Sequence, residues 1–297
     1  MGRVSILATF FLAMVMAGPA GADAPGGDYP PLRESFDPRL QRGLEAALVD
    51  LRLADAVAGR KLAVALVDIT DPHEPRVASI NGDEMMYAAS LPKIAILLGA
   101  FVEVEAGTLE LDGATRESLT AMIRTSSNVE ATRVLNRVGR TRLLDILQSE
   151  PYRLYDPLVN GGLWVGKEYA KSPAYQRDPL HNLSHGATVM QTARFYYLLE
   201  TGQLVNAELS AQMKSLLGEP AIRHKFVKGL ESRPGARIYR KSGTWRQWHA
   251  DSALVEDGGY KYIAVALAAD ERGGTWLTRL IGRLHDLVVP ARVVRAD

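Results

Sequence analysis

The placement of strand-like segments constrains this chain most, because they stand at both ends with a long helical stretch between them. Residues 61–69 form a nearly continuous apolar run carrying Val64, Val67 and Ile69. A Pro-containing turn leads to a shorter run, 76–80, closed by Asn81-Gly82, the pattern of two paired strands. From Ser90 to about Leu230 the apolar spacing turns helical, best at 94–104, 119–124, 129–138 and 187–199. Strand patterns return at 237–242, 252–256 and 260–268, the last two joined by the hairpin-turn sequence Asp257-Gly258-Gly259. A capping Asp37 with Pro38 at the first helical position, and Leu40, Leu44, Leu48 and Leu51 at helical spacing up to Gly59, predict a first helix. An amphipathic run over 276–287 predicts a last one. The expectation is an α+β fold: one antiparallel sheet flanked by N- and C-terminal helices, with an all-helical lobe inserted. The α/β lobe would be 37–82 plus 233–297 and the helical lobe 83–232. A cleft between two such lobes is a preferred ligand site.

Composition removes competing classes. With 47% hydrophobic and 23% charged residues in 297, the chain has material for a sizeable core. Lys plus Arg number 35 against 34 for Asp plus Glu, a formal charge of +1 that offers no attraction to nucleic acid or anionic lipid. The absence of cysteine excludes disulfides, thiolate nucleophiles and cysteine-based metal sites. Residues 1–22 read as a cleaved secretory signal: Arg3, an apolar run over 4–17, then small residues suited to cleavage after Ala22. That run is shorter than the about 20 residues a membrane span needs, so a stable membrane anchor is not expected. Residues 23–36 read as a leader before a folded domain over 37–297, and the expected product is a secreted or periplasmic monomer.

The chemistry is carried by Ser90-Leu91-Pro92-Lys93. A serine and a lysine three apart on a helix share a face, so a neutral amine can take the hydroxyl proton. The amine must then lose its charge through burial or a second cation, and the apolar run 94–100 supplies burial. Ser-x-x-Lys occurs nowhere else in the chain. Further along, Ser126-Ser127-Asn128 offers a hydroxyl and an amide on one short segment, and Lys241-Ser242-Gly243 closes a strand with a cation and a hydroxyl. The three elements, separated by 36 and then 115 residues on helix start, helical lobe and sheet edge, are far more specific together than alone.

In that order and context they resemble the active-site motifs of the serine β-lactamase and penicillin-binding protein superfamily, in the class A β-lactamase arrangement. The resemblance covers nearly all of the chain after the leader. It implies Ser90 as nucleophile, Lys93 as its general base, and Ser126 as proton relay to the leaving nitrogen. It further implies Asn128 as a holder of the substrate's side-chain amide, and Lys241 as a carboxylate anchor that also tunes Lys93 and Ser126, with Ser242 and Gly243 beside it. The backbone N–H groups of Ser90 and Thr244 would form the oxyanion hole, each donor contributing about 3 kcal/mol in related chemistry. No cofactor and no metal are implied.

Two departures from the family pattern keep polar chemistry, Ser127 where Asp is usual and Ser242 where Thr is common. A third is chemical. Where the family carries a deacylating Glu in Glu-x-x-Leu-Asn, this chain has Asp156-Pro157-Leu158-Val159-Asn160, one methylene short. Asp156, supported by Asn160, is the candidate base for deacylation; a turn residue before Pro157 is the equal alternative, and Glu150 and Glu168 are further carboxylates. The insertion over 160–183, with Lys167, Lys171 and Arg177, is expected to reshape the site. Residues 161–167 match Gly-x4-Gly-Lys, but Glu168 follows where a phosphate loop needs Ser or Thr. His181-x3-His185 lacks the Glu of a metalloprotease helix and reads as a helix start. Trp164, Trp245 and Trp248 belong to the pocket wall or to the core. The expected function is an exported serine hydrolase opening β-lactam rings through a Ser90 acyl-enzyme. The alternative is a penicillin-binding D-Ala peptidase or esterase with slow or no β-lactam deacylation. In either, the partner is a small-molecule β-lactam, amide or ester; a non-catalytic binder is the third reading.

Overall fold

A computed structural model describes residues 29–290; the expected signal at 1–22 and residues 23–28 of the leader lie outside them. The first helix, α1 (Pro38–Asp50), starts where the sequence places it: the Asp37 side chain accepts from the Leu40 N–H, and Pro38 occupies a position whose N–H has no helical partner. Leu40, Leu44 and Leu48 are its buried face. The leucine repeat does not run on as one helix to Gly59. Arg52 turns left-handed at φ 59° and a separate short helix, α2 (Ala54–Ala58), follows.

The strands β1 (Leu62–Asp68) and β2 (Arg76–Ile80) come next, then β3 (Met86–Tyr87). The helices α3 (Lys93–Glu105), α4 (Gly113–Arg124), α5 (Asn128–Val138) and α6 (Arg140–Gln148) form the first part of the helical stretch. Short strands β4 (Tyr155–Asp156), β5 (Gly161–Gly162), β6 (Trp164–Val165) and β7 (His185–Ala187) separate them from α7 (Val189–Glu200), α8 (Ala207–Leu217) and α9 (Phe226–Gly229). The chain ends in β8 (Arg237–Trp245), β9 (Trp248–Asp257), β10 (Tyr260–Ala269) and α10 (Gly273–Val288). Strands from both ends meet in one five-stranded sheet of order β2-β1-β10-β9-β8, antiparallel throughout. The β9–β10 hairpin turns on Gly258 (φ 59°) and Gly259 (φ 91°), the paired positive angles that favour Gly in a two-residue turn.

All of β1 is buried because both faces of the sheet are covered, which is why it reads as a continuous apolar run instead of an alternating one. Ala63, Ala65 and Val67 point into the core shared with α3 and α7. Leu62, Val64 and Leu66 point to the opposite core, closed by Leu44 and Leu48 of α1 and Leu277, Leu280, Ile281 and Leu284 of α10. Helix α3 is buried at every residue from Lys93 to Phe101, so it runs through the interior, where a helix apolar all round belongs. The small strands were not legible in the sequence. His181 and His185 start no helix; His185 opens β7, which pairs with both β3 and β6.

Candidate active site

Ser90 lies in the tight turn between β3 and α3. Ala89 before it is left-handed at φ 50°, and the Leu91 N–H donates back to the Ala88 carbonyl at 3.0 Å. Lys93 opens α3 with its side chain fully buried, and its Nζ donates to Ser126 O (2.6 Å), Asn128 Oδ1 (2.7 Å) and Ser126 Oγ (3.3 Å). The first two motifs are thus joined through the lysine. Burial lowers the Lys93 pKa to about 7. A neutral amine keeps only two N–H groups, so one of the three contacts lapses when the proton leaves and a lone pair becomes available.

Ser126 is itself left-handed, at φ 59°, immediately before α5. Ser127 caps that helix, its hydroxyl accepting from the Glu130 N–H; this is the local work of the serine at the middle of the motif. From the other side Lys241 Nζ donates to Ser126 Oγ at 2.9 Å and to Ser242 O at 2.9 Å. The Ser126 hydroxyl therefore lies between two buried amines. The Lys241 pKa is pushed well down, by burial first and then by the charges of Lys93 and Arg240.

Strand β8 is an edge strand, and its free edge faces the Ser90 turn. A Cβ on Gly243 would stand 2.1 Å from Ala88 O and 2.8 Å from Ser90 N, so only glycine lets β8 come this close. This juxtaposes the Ser90 backbone with the segment that carries Thr244. Lys225, which no motif singled out, braces the same segment. Its buried Nζ donates to Gly243 O (2.6 Å), Thr244 Oγ1 (2.8 Å) and Ala250 O (3.0 Å), and burial lowers its pKa to about 8. Arg240, next to Lys241, forms a fully buried two-point pair with Asp251 at 2.7 Å on each arm. Lys225, flanked by Arg223, His224 and Lys228, left no sequence signal, and Asp251 only that of a charge within a largely apolar strand.

Ser90, Asn128 and Thr244 open into a pocket of ≈ 440 Å³ whose other walls include Tyr169, His185 and Trp245. The Tyr169 hydroxyl donates to Ala89 O at 3.1 Å, and the Lys93 Nζ lies 4.5 Å from the centre of its ring. Tyr169 rests on His185, ring centres 4.3 Å apart, and His185 Nε2 meets the Lys167 carbonyl at 3.0 Å. Burial holds the His185 pKa down to about 4, so it is a neutral ring with Nε2 as donor. His181 meets Asn160 instead, so the two histidines share no ligand geometry. Of the three tryptophans singled out above, Trp245 lines the pocket, Trp164 is buried against Tyr155, and Trp248 packs edge-on to Tyr87.

Asp156 and Asn160 are not brought to Ser90. Asp156 borders a separate pocket of ≈ 230 Å³ with Leu32, Arg153, Gln191 and Arg194, and the two pockets have no wall residue in common. Its Oδ2 accepts from Arg153 Nη2 at 2.7 Å, and its Oδ1 caps the turn over Pro157–Val159 by accepting from the Leu158 N–H. Asp-Pro therefore serves the turn that such a dipeptide favours. Asn160 is left-handed and its Nδ2 donates to Asp83 O at 2.7 Å. Glu150 pairs with Arg153. Glu168 does line the Ser90 pocket, but its carboxylate is paired with Arg140, and hydrogen bonding from Asn136 first, then Arg140, keeps its pKa low.

No curated protein matches this sequence. A family model described as the beta-lactamase enzyme family matches residues 44–116 and 113–289. Among solved structures, the β-lactamase from Sphaerobacter thermophilus is similar at 18% identity and a TM-score of 0.64, covering 83% of this chain and 95% of that one. The structure of PBP-A is similar at 16% identity and 0.63, covering 87% and 98%. A β-lactamase from Chitinophaga pinensis is similar at 13% identity and 0.60, covering 80% and 97%. At these identities the likeness shows the β-lactamase/transpeptidase-like fold, while the family match runs along most of the sequence itself. The chain thus belongs to the beta-lactamase enzyme family.

Proposed function

We propose that this protein is a serine hydrolase in which Ser90 is acylated by a β-lactam or a related amide or ester. The observation that carries the reading is Lys93, buried without a carboxylate partner, with a pKa near 7 and hydrogen-bonded to both Ser126 and Asn128. Proton loss leaves an amine able to take the Ser90 proton, and Ser126, between Lys93 and Lys241, passes a proton to the departing nitrogen. Lys241 attracts the substrate carboxylate, Asn128 holds the side-chain amide, and the N–H groups of Ser90 and Thr244 stabilise the oxyanion. The segment 1–22 supports export, with release of the catalytic part to the periplasm or medium.

For the second half-reaction the placement of Asp156 favours the penicillin-binding, peptidase or esterase reading, with slow release of the β-lactam product. A carboxylate that borders a different pocket and is paired with Arg153 supports a Ser90 adduct without Asp156 as its water-activating base. A point mutant of PBP-A, similar at 16% identity and a TM-score of 0.63, is solved as an acyl-enzyme complex with penicillin G, an adduct of the kind proposed here. The deciding experiment is intact-protein mass spectrometry of the protein mixed with a penicillin and a chromogenic cephalosporin, followed from seconds to hours beside product absorbance. A persistent one-to-one adduct, absent in Ser90→Ala, is the expected result. Fast turnover without an adduct would establish a working β-lactamase with another base, and labelling of Ser90→Ala would overturn the nucleophile.

A further inference from the structure

The wall of the Ser90 pocket contributed by the loop after β6 carries Lys167, Glu168, Tyr169, Ala170 and Lys171 in one run. Its one carboxylate, Glu168, is neutralised by Arg140. Neither lysine amine makes a hydrogen bond or ion pair among the described residues, in contrast to Lys214 and Lys261, which hold Glu200 and Glu256. The loop is tied at Lys167 itself, through its carbonyl to buried His185. The lysine stem therefore leaves from a fixed point on the wall. Behind the wall, buried Lys93 and Lys241 meet only hydroxyl, amide and carbonyl oxygens. The pocket wall thus carries two lysines with no ion-pair partner, and its one carboxylate is already paired, in a chain whose formal charge is only +1. A concave, partly dry wall focuses such a field.

We infer that Lys167 and Lys171 select substrates bearing a second anionic group, on the acyl side chain, in addition to the carboxylate assigned to Lys241. The preferred substrate class is then a dianionic β-lactam, peptide or ester, whose side-chain anion meets the loop wall. The inference rests on the acylation of Ser90 proposed above, and it names what that site prefers.

Three penicillins differing at a single side-chain carbon test it: benzylpenicillin with hydrogen there, carbenicillin with a carboxylate, ampicillin with an ammonium. Second-order acylation rates from intact mass are expected to rank carbenicillin first and ampicillin last. Each step should be about two- to fivefold, the size of a partly exposed charge contact. The spread should contract in about 1 M salt, where screening acts over a few ångströms, and in the Lys167→Ala/Lys171→Ala double variant. Equal rates, the reverse order, or a spread that the double substitution leaves intact would overturn the inference. The same series of dissociation constants, measured by calorimetry on Ser90→Ala, reads the charge preference without acylation. If the wild-type protein is not labelled, that series still decides: the same ranking upholds the anion selection while the acylation reading falls, and no ranking or no binding overturns it.

Discussion

A lysine held in the interior without an anion beside it keeps its proton only at a cost, and Lys93 gives it up near pH 7. With Lys93 as the proposed base the competent form is the free amine, so the Ser90 acylation rate should rise with pH and reach half its plateau at about pH 7. Below that it should fall about tenfold per pH unit. A stopped-flow pH profile checks this, and a flat profile from pH 5 to 9 would remove Lys93 as base. The ring of Tyr169 faces the ammonium and favours it. Tyr169→Phe should leave the midpoint in place, and Tyr169→Leu should move it to lower pH. Asp156→Asn, which the deacylation reading of the sequence made decisive, should leave the adduct lifetime unchanged, because its carboxylate serves Arg153 and a turn. A lifetime lengthened tenfold or more would return deacylation to Asp156. At this scale the motif residues were legible because their order and chemistry are unusual. Lys225 and Tyr169 were not, since a buried amine and a ring over it have no sequence signature until the chain folds.

The decisive element is edge strand β8. Gly243 lets it press against the Ser90 turn, and Lys225 and the Arg240–Asp251 pair hold it from behind. Gly243→Ala should lower acylation by two orders of magnitude or more, since an oxyanion donor is worth about 3 kcal/mol. Circular dichroism of the variant should stay native, because the β8–β9 ladder on the other edge is untouched. Full activity in that variant would place the oxyanion site elsewhere. The long strands and helices were readable from periodicity and turn chemistry: Asp37-Pro38 and Gly258-Gly259 stand where the structure uses them. The strands from β3 to β7 are two or three residues long, too short for any period, and exist because distant backbone happens to lie alongside.

Over the whole molecule, the sheet divides two cores, one shared with the helices that frame the pocket and one closed by α1 and α10. Leu284→Ala, in the second core, should cost about 2–5 kcal/mol. It should lower the denaturant midpoint while the pH profile of acylation stays unchanged, since no residue lining the Ser90 pocket belongs to that core. A shifted profile would mean that the two cores are coupled through the sheet. The sequence by itself determined the fold class and the family, because strand order, caps and the spaced Ser, Lys and Ser motifs are local or ordered patterns. Only the tertiary structure decided that Asp156 belongs to another pocket, that Tyr169 covers Lys93, and that Lys167 and Lys171 line the same pocket as Ser90. Those are matters of which distant segments share a cavity, and they depend on how the loop after β6 folds back across β7, a contact no linear spacing encodes.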